Sequence, residues 1–298
     1  MTTAPELRVT DRFRELLDRL SQKAIDDYYN PYQRFEWPES LEEDQWWMSP
    51  ELISPAGTAE LEKLDEATRK RLSKWESINF YSLNVHGIRE LLIEVVNRIH
   101  MPGFEVPSDF FHHFIGEENE HMWFFSEFCL RYGGKIYQPP AFKLASPRHE
   151  PEVENFLVFA RILFFEEMVD HYNMAMGQDE RLSRTIRQVN AIHHEDESRH
   201  IAFGRELVAH LYGLMCEKVD GSRLREVEAY VKRYIVYSLN SFYNPEIYRD
   251  AGIADPLALR AAIIADPGRR EAERRVIRKP MAFFRKIGLF TDDTLPVG

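Results

Sequence analysis

The chain has 298 residues, 44% of them apolar and 13% aromatic, so it is long enough to bury a substantial core. Thirty-eight basic against 49 acidic residues leave a net charge of −11, which argues against a nucleic-acid partner, since that needs a basic face. No apolar run reaches the roughly 18 residues of a membrane span, and no internal repeat or low-complexity tract is present.

The start, MTTAPELRVTDRFRELL, carries spread charges and lacks the apolar stretch of a secretory signal. Cys129 and Cys216 are too few for a disulfide framework and too far apart for a close metal pair. The expectation is two reduced thiols in a cytoplasmic protein. Residues 10–29 read as a first amphipathic helix. Residues 31–64 hold four prolines and little periodicity, and are expected to wrap the helical body with Trp46 and Trp47 packed on it.

Four long helical patterns follow. The first runs from an N-cap at Asp65 to His100, before Met101-Pro102-Gly103; the second from Ser108 to Gly133-Gly134. A link containing Pro139, Pro140 and Pro147 leads to the third, 150–176, closed by Gly177. The fourth opens near Asp179 and continues to about Val219. A further helix spans 222–243, and shorter ones follow Asn244-Pro245. The fold class this implies is all-α, a four-helix core at about 65–219 with flanking helices, in one domain over 1–298.

The second helix holds Glu118-Asn-Glu-His121 and the fourth Glu197-Ser-Arg-His200. On an α-helix, positions three apart share a face, so each motif offers one carboxylate and one imidazole to the same ion. One such motif is commonplace on an exposed helix; two on separate long helices match the ferritin-like carboxylate template, which also requires one Glu from each remaining helix. On the third helix Glu166, directly after the largely apolar run Phe156 to Phe165, lies 31 residues before Glu197. On the first, Glu90 lies 28 residues before Glu118 and is preferred to Glu94 because its spacing best matches the other half. Carboxylates and imidazoles suit iron, and bridging carboxylates hold two ions close. His193, one turn before Glu197, is a seventh ligand on the same face, whereas His194 points about 100° away. Asp170 and Asp196 are placed to accept hydrogen bonds from ligating imidazoles. Phe114, Phe125, Phe164 and Phe165 are candidates to wall a dry pocket, and Arg89 or Arg161 to pair with a ligand glutamate or anchor a substrate carboxylate.

The ordered set Glu90, Glu118-x-x-His121, Glu166, His193-x-x-x-Glu197-x-x-His200 resembles the diiron N-oxygenases typified by aureothin p-aminobenzoate N-oxygenase, over roughly residues 70–215. The Glu90–Glu118 interval is shorter than that family's. The resemblance implies a site of two Fe ions, dioxygen as co-substrate, and oxidation of a small-molecule amine to hydroxylamine, nitroso or nitro products. The ligands alone do not choose between attack at nitrogen and at carbon, so a carbon hydroxylase stands as the alternative, and an iron-storage bundle ranks behind both. No flavin or nicotinamide fingerprint appears, so electrons are expected from a separate reductase or ferredoxin. The flanking segments at 30–64 and 245–298 suit pocket shielding or a homodimer face.

Overall fold

The computed structural model describes residues 10–140 and 150–296; Pro147 and the first nine residues lie outside them. Among the described residues no strand forms, and a single isolated bridge joins Trp46 to Leu182. The architecture is an all-α, ferritin-like bundle with additional helices. The core helices are α3 (Glu66–Val96), α4 (Ser108–Phe128), α5 (Pro151–Gln178) and α6 (Arg184–Cys216).

Local chemistry sets most of their ends. Asp65 caps α3 by accepting from the Thr68 amide, and Ser183 caps α6 by accepting from that of Ile186. Beyond Phe128, α4 widens into a π-helical turn, Cys129–Gly133, closed by left-handed Gly134 (φ 66°). Two ends differ from the sequence expectation. Asp179 caps a turn before α6 rather than opening the helix, accepting from the Arg181 amide at 3.0 Å. Gly177 lies within α5, where its bare Cα lets the Ala191 backbone of α6 approach.

α5 is apolar on nearly every side because it has neighbours on every side: α3 and α6, with α7 (Gly221–Ser241) and, later in the chain, a C-terminal helix on its outer flank. α1 (Asp11–Asp26) lies across α4 and α6. Residues 31–64 do wrap the bundle, through the short α2 (Pro31–Arg34) and a 3₁₀ turn at Leu61–Lys63. Trp47 is buried there: its amide donates to Ser73 Oγ (3.0 Å), its indole to the Glu42 carbonyl (3.1 Å), and its ring meets Phe128 and Tyr132. Trp46 is half-buried. The C-terminal region forms α8 (Pro245–Asp250), α9 (Pro256–Ala265), α10 (Pro267–Val276) and α11 (Arg278–Lys286), the last being the helix that covers α5. Among the described residues no helix is long and apolar enough to cross a membrane. Both cysteines are free, Cys129 buried and Cys216 exposed.

α3 and α4 run antiparallel: Ile78 meets Gly133 and Cys129, while Tyr81 meets Phe128 and Phe125. α5 and α6 are likewise antiparallel, with Leu163 against Gly204 and Gly177 against Ala191. The four helices turn their inner faces to one point midway along the bundle, and there the apolar packing gives way to charge.

Candidate metal centre

Glu118 and His121 from α4 and Glu197 and His200 from α6 each offer a ligand atom, and these four atoms all lie within 4.8 Å of one another. All four residues are buried. Glu197 Oε1 is central: it lies 3.0 Å from His193 Nε2, 3.6 Å from His200 Nδ1 and 3.8 Å from His121 Nδ1. Glu118 Oε1 lies 2.8 Å from His200 Nδ1 and 3.5 Å from His121 Nδ1. Glu166 of α5 is buried against the same group, its charged neighbours being Glu197, His200 and Glu118.

What marks this as a cation site is the state of the inward-facing atoms. His121 Nδ1, His193 Nε2, His200 Nδ1, Glu118 Oε1, Glu166 Oε1 and Glu197 Oε2 are all buried and none has a hydrogen-bond partner, the close approaches above being off-line. Burying polar atoms unpaired costs kilocalories each, so native interiors rarely tolerate six together. Cations ligated by these atoms would remove the cost. Their mix of carboxylate oxygen and imidazole nitrogen fits iron.

The electrostatics say the same. Burial opposes ionisation of Glu197, but His193 and His200 hold its carboxyl well below the usual range. Burial also opposes ionisation of Glu118, and His121 outweighs it. Glu166 goes the other way: burial, then the charge of Glu197, push it well above the ordinary value. Burial disfavours the charged form of His121, yet Glu118 and Asp196 raise it to about 10; His200 is raised likewise by Glu117, Glu118 and Glu197. Protons thus neutralise a group of acids that a divalent ion would neutralise by displacing them.

A second ring of residues holds the imidazoles. His121 Nε2 donates to Asp196 Oδ2 (3.1 Å), which also accepts from the Tyr29 hydroxyl (3.0 Å). His200 Nε2 donates to Glu117 Oε2 (2.7 Å). Arg199 ties the two acids together, donating to Asp196 Oδ1 (2.6 Å) and Glu117 Oε1 (2.7 Å). With Nε2 committed outward, each Nδ1 lone pair faces the cluster, which fixes the tautomer a ligand needs. His193 Nδ1 accepts from the Asn173 amide nitrogen of α5, and its Nε2 faces Glu197. Around this, Phe114 packs on His200 (4.5 Å between ring centres) and Phe125 on His193 (4.8 Å).

Other expected residues fall elsewhere. Glu90 does not join the cluster: it is exposed and lines a cavity of about 290 Å³ between α3, α5 and α7. Glu94 is half-buried and bonded to Arg98 (2.6 Å). Asp170 bonds His194, outside the cluster. Phe164 meets Tyr234, Phe165 lines the Glu90 cavity, and Arg161 sits over Tyr234. Arg89 is exposed. Sequence reasoning missed Glu117, Arg199, Tyr29 and Asn173. Arg199 had a signal, since it stands inside the second Glu-x-x-His, where a cation beside a buried ligand pair needs acids of its own.

Fold and site together define a ferritin-like helical protein with a buried carboxylate–imidazole metal-binding cluster. The family model for p-aminobenzoate N-oxygenase AurF matches residues 10–288, so the chain belongs to that family. No curated protein sequence matches it.

Proposed function

We propose that this chain is a dioxygen-dependent oxygenase that holds two iron ions in the α4–α5–α6 cluster and oxidises the nitrogen of a small-molecule amine to a hydroxylamine, nitroso or nitro group. The observation that carries the reading is the set of six buried, unpartnered donor atoms in a chain that belongs to an N-oxygenase family. Glu118, His121, Glu166, His193, Glu197 and His200 are the residues that would hold the ions. When bound, such ions supply the electrons and Lewis acidity that dioxygen activation needs.

The chain's own part is to position, to dry and to balance charge. Asp196 and Glu117 hold His121 and His200 with Nδ1 inward, and Arg199 holds both acids in place. Phe114 and Phe125 close apolar surface over the imidazoles, which excludes water and strengthens every charge interaction inside. Glu166, the one cluster acid pushed above rather than below its ordinary value, is the carboxyl best able to hold or release a proton as cluster charge changes. Electrons come from a separate reductase or ferredoxin, as the sequence holds no flavin or nicotinamide fingerprint.

The test is metal content and product together. Protein reconstituted anaerobically with Fe(II) is expected to hold about two irons per chain. Reduced and exposed to ¹⁸O₂ with a panel of amines, it is expected to yield a product with label on nitrogen. A labelled alcohol from a C–H substrate, with every amine untouched, replaces this reading by a carbon hydroxylase.

A further inference from the structure

The four-helix template for a two-ion carboxylate centre takes one Glu from each helix that lacks a Glu-x-x-His. α5 provides Glu166. α3 has acids at 66, 76, 90 and 94, and none of them reaches the cluster. Glu66 is in the exposed first turn and bonds Lys70. Glu76 accepts from the Ser54 amide (2.8 Å), and Glu90 and Glu94 lie on the outer side as described.

The α3 residue that does face inward can be located from its neighbours. The Tyr81 hydroxyl accepts from Asn190 Nδ2 of α6 (2.7 Å), and its ring stacks on Phe125, which itself covers His193. α4 runs antiparallel to both α3 and α6, so α3 and α6 run parallel. One turn beyond Tyr81 on the same face of α3 therefore stands level with one turn beyond Asn190, which is His193. That α3 residue is Asn84. It is wholly buried; its Nδ2 donates to the Phe80 carbonyl (2.8 Å), and its Oδ1 has no partner. The other buried polar residues of this stretch are engaged away from the bundle axis: Ser82 Oγ accepts from the Tyr137 amide (3.0 Å), and His86 Nε2 meets the Tyr137 carbonyl (2.9 Å).

We propose that Asn84 occupies the place of the α3 carboxylate, so that the centre has three glutamates instead of four and holds its two ions unequally. This rests on the two-ion reading above. Three carboxylates against two divalent ions leave one positive charge in a buried site, whereas four would leave none. An amide oxygen is a neutral dipole and offsets little of that charge. Glu166 stays in the group as a buried carboxylate with Oε1 unpartnered. An ion nearer Asn84 would have the carboxylates it shares, the imidazoles of His121 and His193, and a neutral amide in place of the fourth charge. That ion is the weak one.

The experiment is a calorimetric titration of the metal-free full-length protein with Co(II), with the visible absorption of bound Co(II) recorded alongside. The first equivalent is expected to bind at least about tenfold more tightly than the second, the size of effect one missing buried charge produces. Asn84→Asp adds the charge with no added volume and is expected to tighten the second equivalent by about tenfold or more, moving the first far less. Asn84→Leu is expected to weaken the second equivalent further and to alter its absorption. Circular dichroism confirms that each variant is folded. Two equivalents of equal affinity, unmoved by either substitution, overturn the inference and leave the two-ion reading standing. Failure of the folded parent to bind any Co(II) overturns both.

Discussion

The two helix pairs of the bundle look alike in sequence and are built differently. α5 and α6 approach closely enough that Gly177 faces the Ala191 backbone and Gly204 faces Leu163. α3 and α4 are held apart by rings, Tyr81 packing on Phe125 and Phe128. The pairs also differ in what they bring to the centre. α5 and α6 supply Glu166, His193, Glu197 and His200, whereas α3 and α4 supply Glu118 and His121, both from α4. α3 buries Glu76, and α5 buries Glu166 and Glu167, the last paired with Arg205 (2.8 Å). Glu76 and Glu166 each leave Oε1 unpartnered, but Glu166 is buried beside the charged cluster residues, whereas Glu76 is tied through Oε2 to the Ser54 amide, away from them. The general point is that a site can be assembled mainly on one rigid hairpin, with the second serving as a wall and lending two ligands.

The largest effect that separates the pairs is expected at Glu197. Its Oε1 lies within 4 Å of all three cluster imidazoles, so no other side chain takes its place. Glu197→Ala is expected to lose bound metal altogether while circular dichroism shows the helices intact, because a small residue on α6 leaves the hairpin packing in place. Full metal occupancy in that variant breaks the assignment of the centre to the α5–α6 side.

Much of this was legible in the sequence, and what was not has a geometric cause. Period and spacing placed Glu118, His121, Glu166, His193, Glu197 and His200 on inward faces, and all six are buried there. Spacing also gave Asp196 its bond to a ligating-type imidazole, His121. It did not give the rotation of α3 about its own axis. Glu90 is six residues beyond Asn84, which at about 100° per residue is roughly 120° away around the helix. An acid at the right interval along the chain thus points to the outer cavity. Glu117 was illegible for another reason: beside Glu118 on an amphipathic helix it reads as a solvated acid, and only its bonds to Arg199 and His200, 82 and 83 residues away, bring it inward.

The next effect concerns Glu76, the buried acid of the other pair. Burial raises its pKa from 4.5 to about 7, with the Ser54 amide opposing. The fold therefore favours the protonated form. The stability it carries is complete below about pH 4.5 and is lost as pH rises through about 7, an amount near 3 kcal/mol. Glu76→Gln keeps an acceptor for the Ser54 amide and removes the titration. Its unfolding free energy is expected to exceed the parent's by a margin that grows with pH across this window, approaching that figure at about pH 8. Denaturant curves at several pH values measure it. Parallel pH profiles for the two proteins mean that Glu76 has the same pKa folded as unfolded, and that the two buried glutamates differ less than described.

The smallest effect tests the difference in packing directly. A Cβ at Gly177 would lie 3.1 Å from both N and Cα of Ala191, which is backbone and cannot swing aside. Overpacking of this kind costs about 1–3 kcal/mol. Alanine in a helix returns roughly 0.5–1 kcal/mol of the entropy that glycine loses on folding. The balance for Gly177→Ala is a net destabilisation of about 1 kcal/mol. Gly116, exposed on α4, has nothing within 4 Å of where its Cβ would be, so Gly116→Ala collects the helix term alone. Measured by thermal or denaturant unfolding, the two substitutions are expected to have opposite signs: Gly116→Ala raises stability and Gly177→Ala lowers it. If both stabilise equally, the α5–α6 contact yields as readily as open surface, and the close hairpin cannot be what holds Glu166 and Glu197 at a fixed separation.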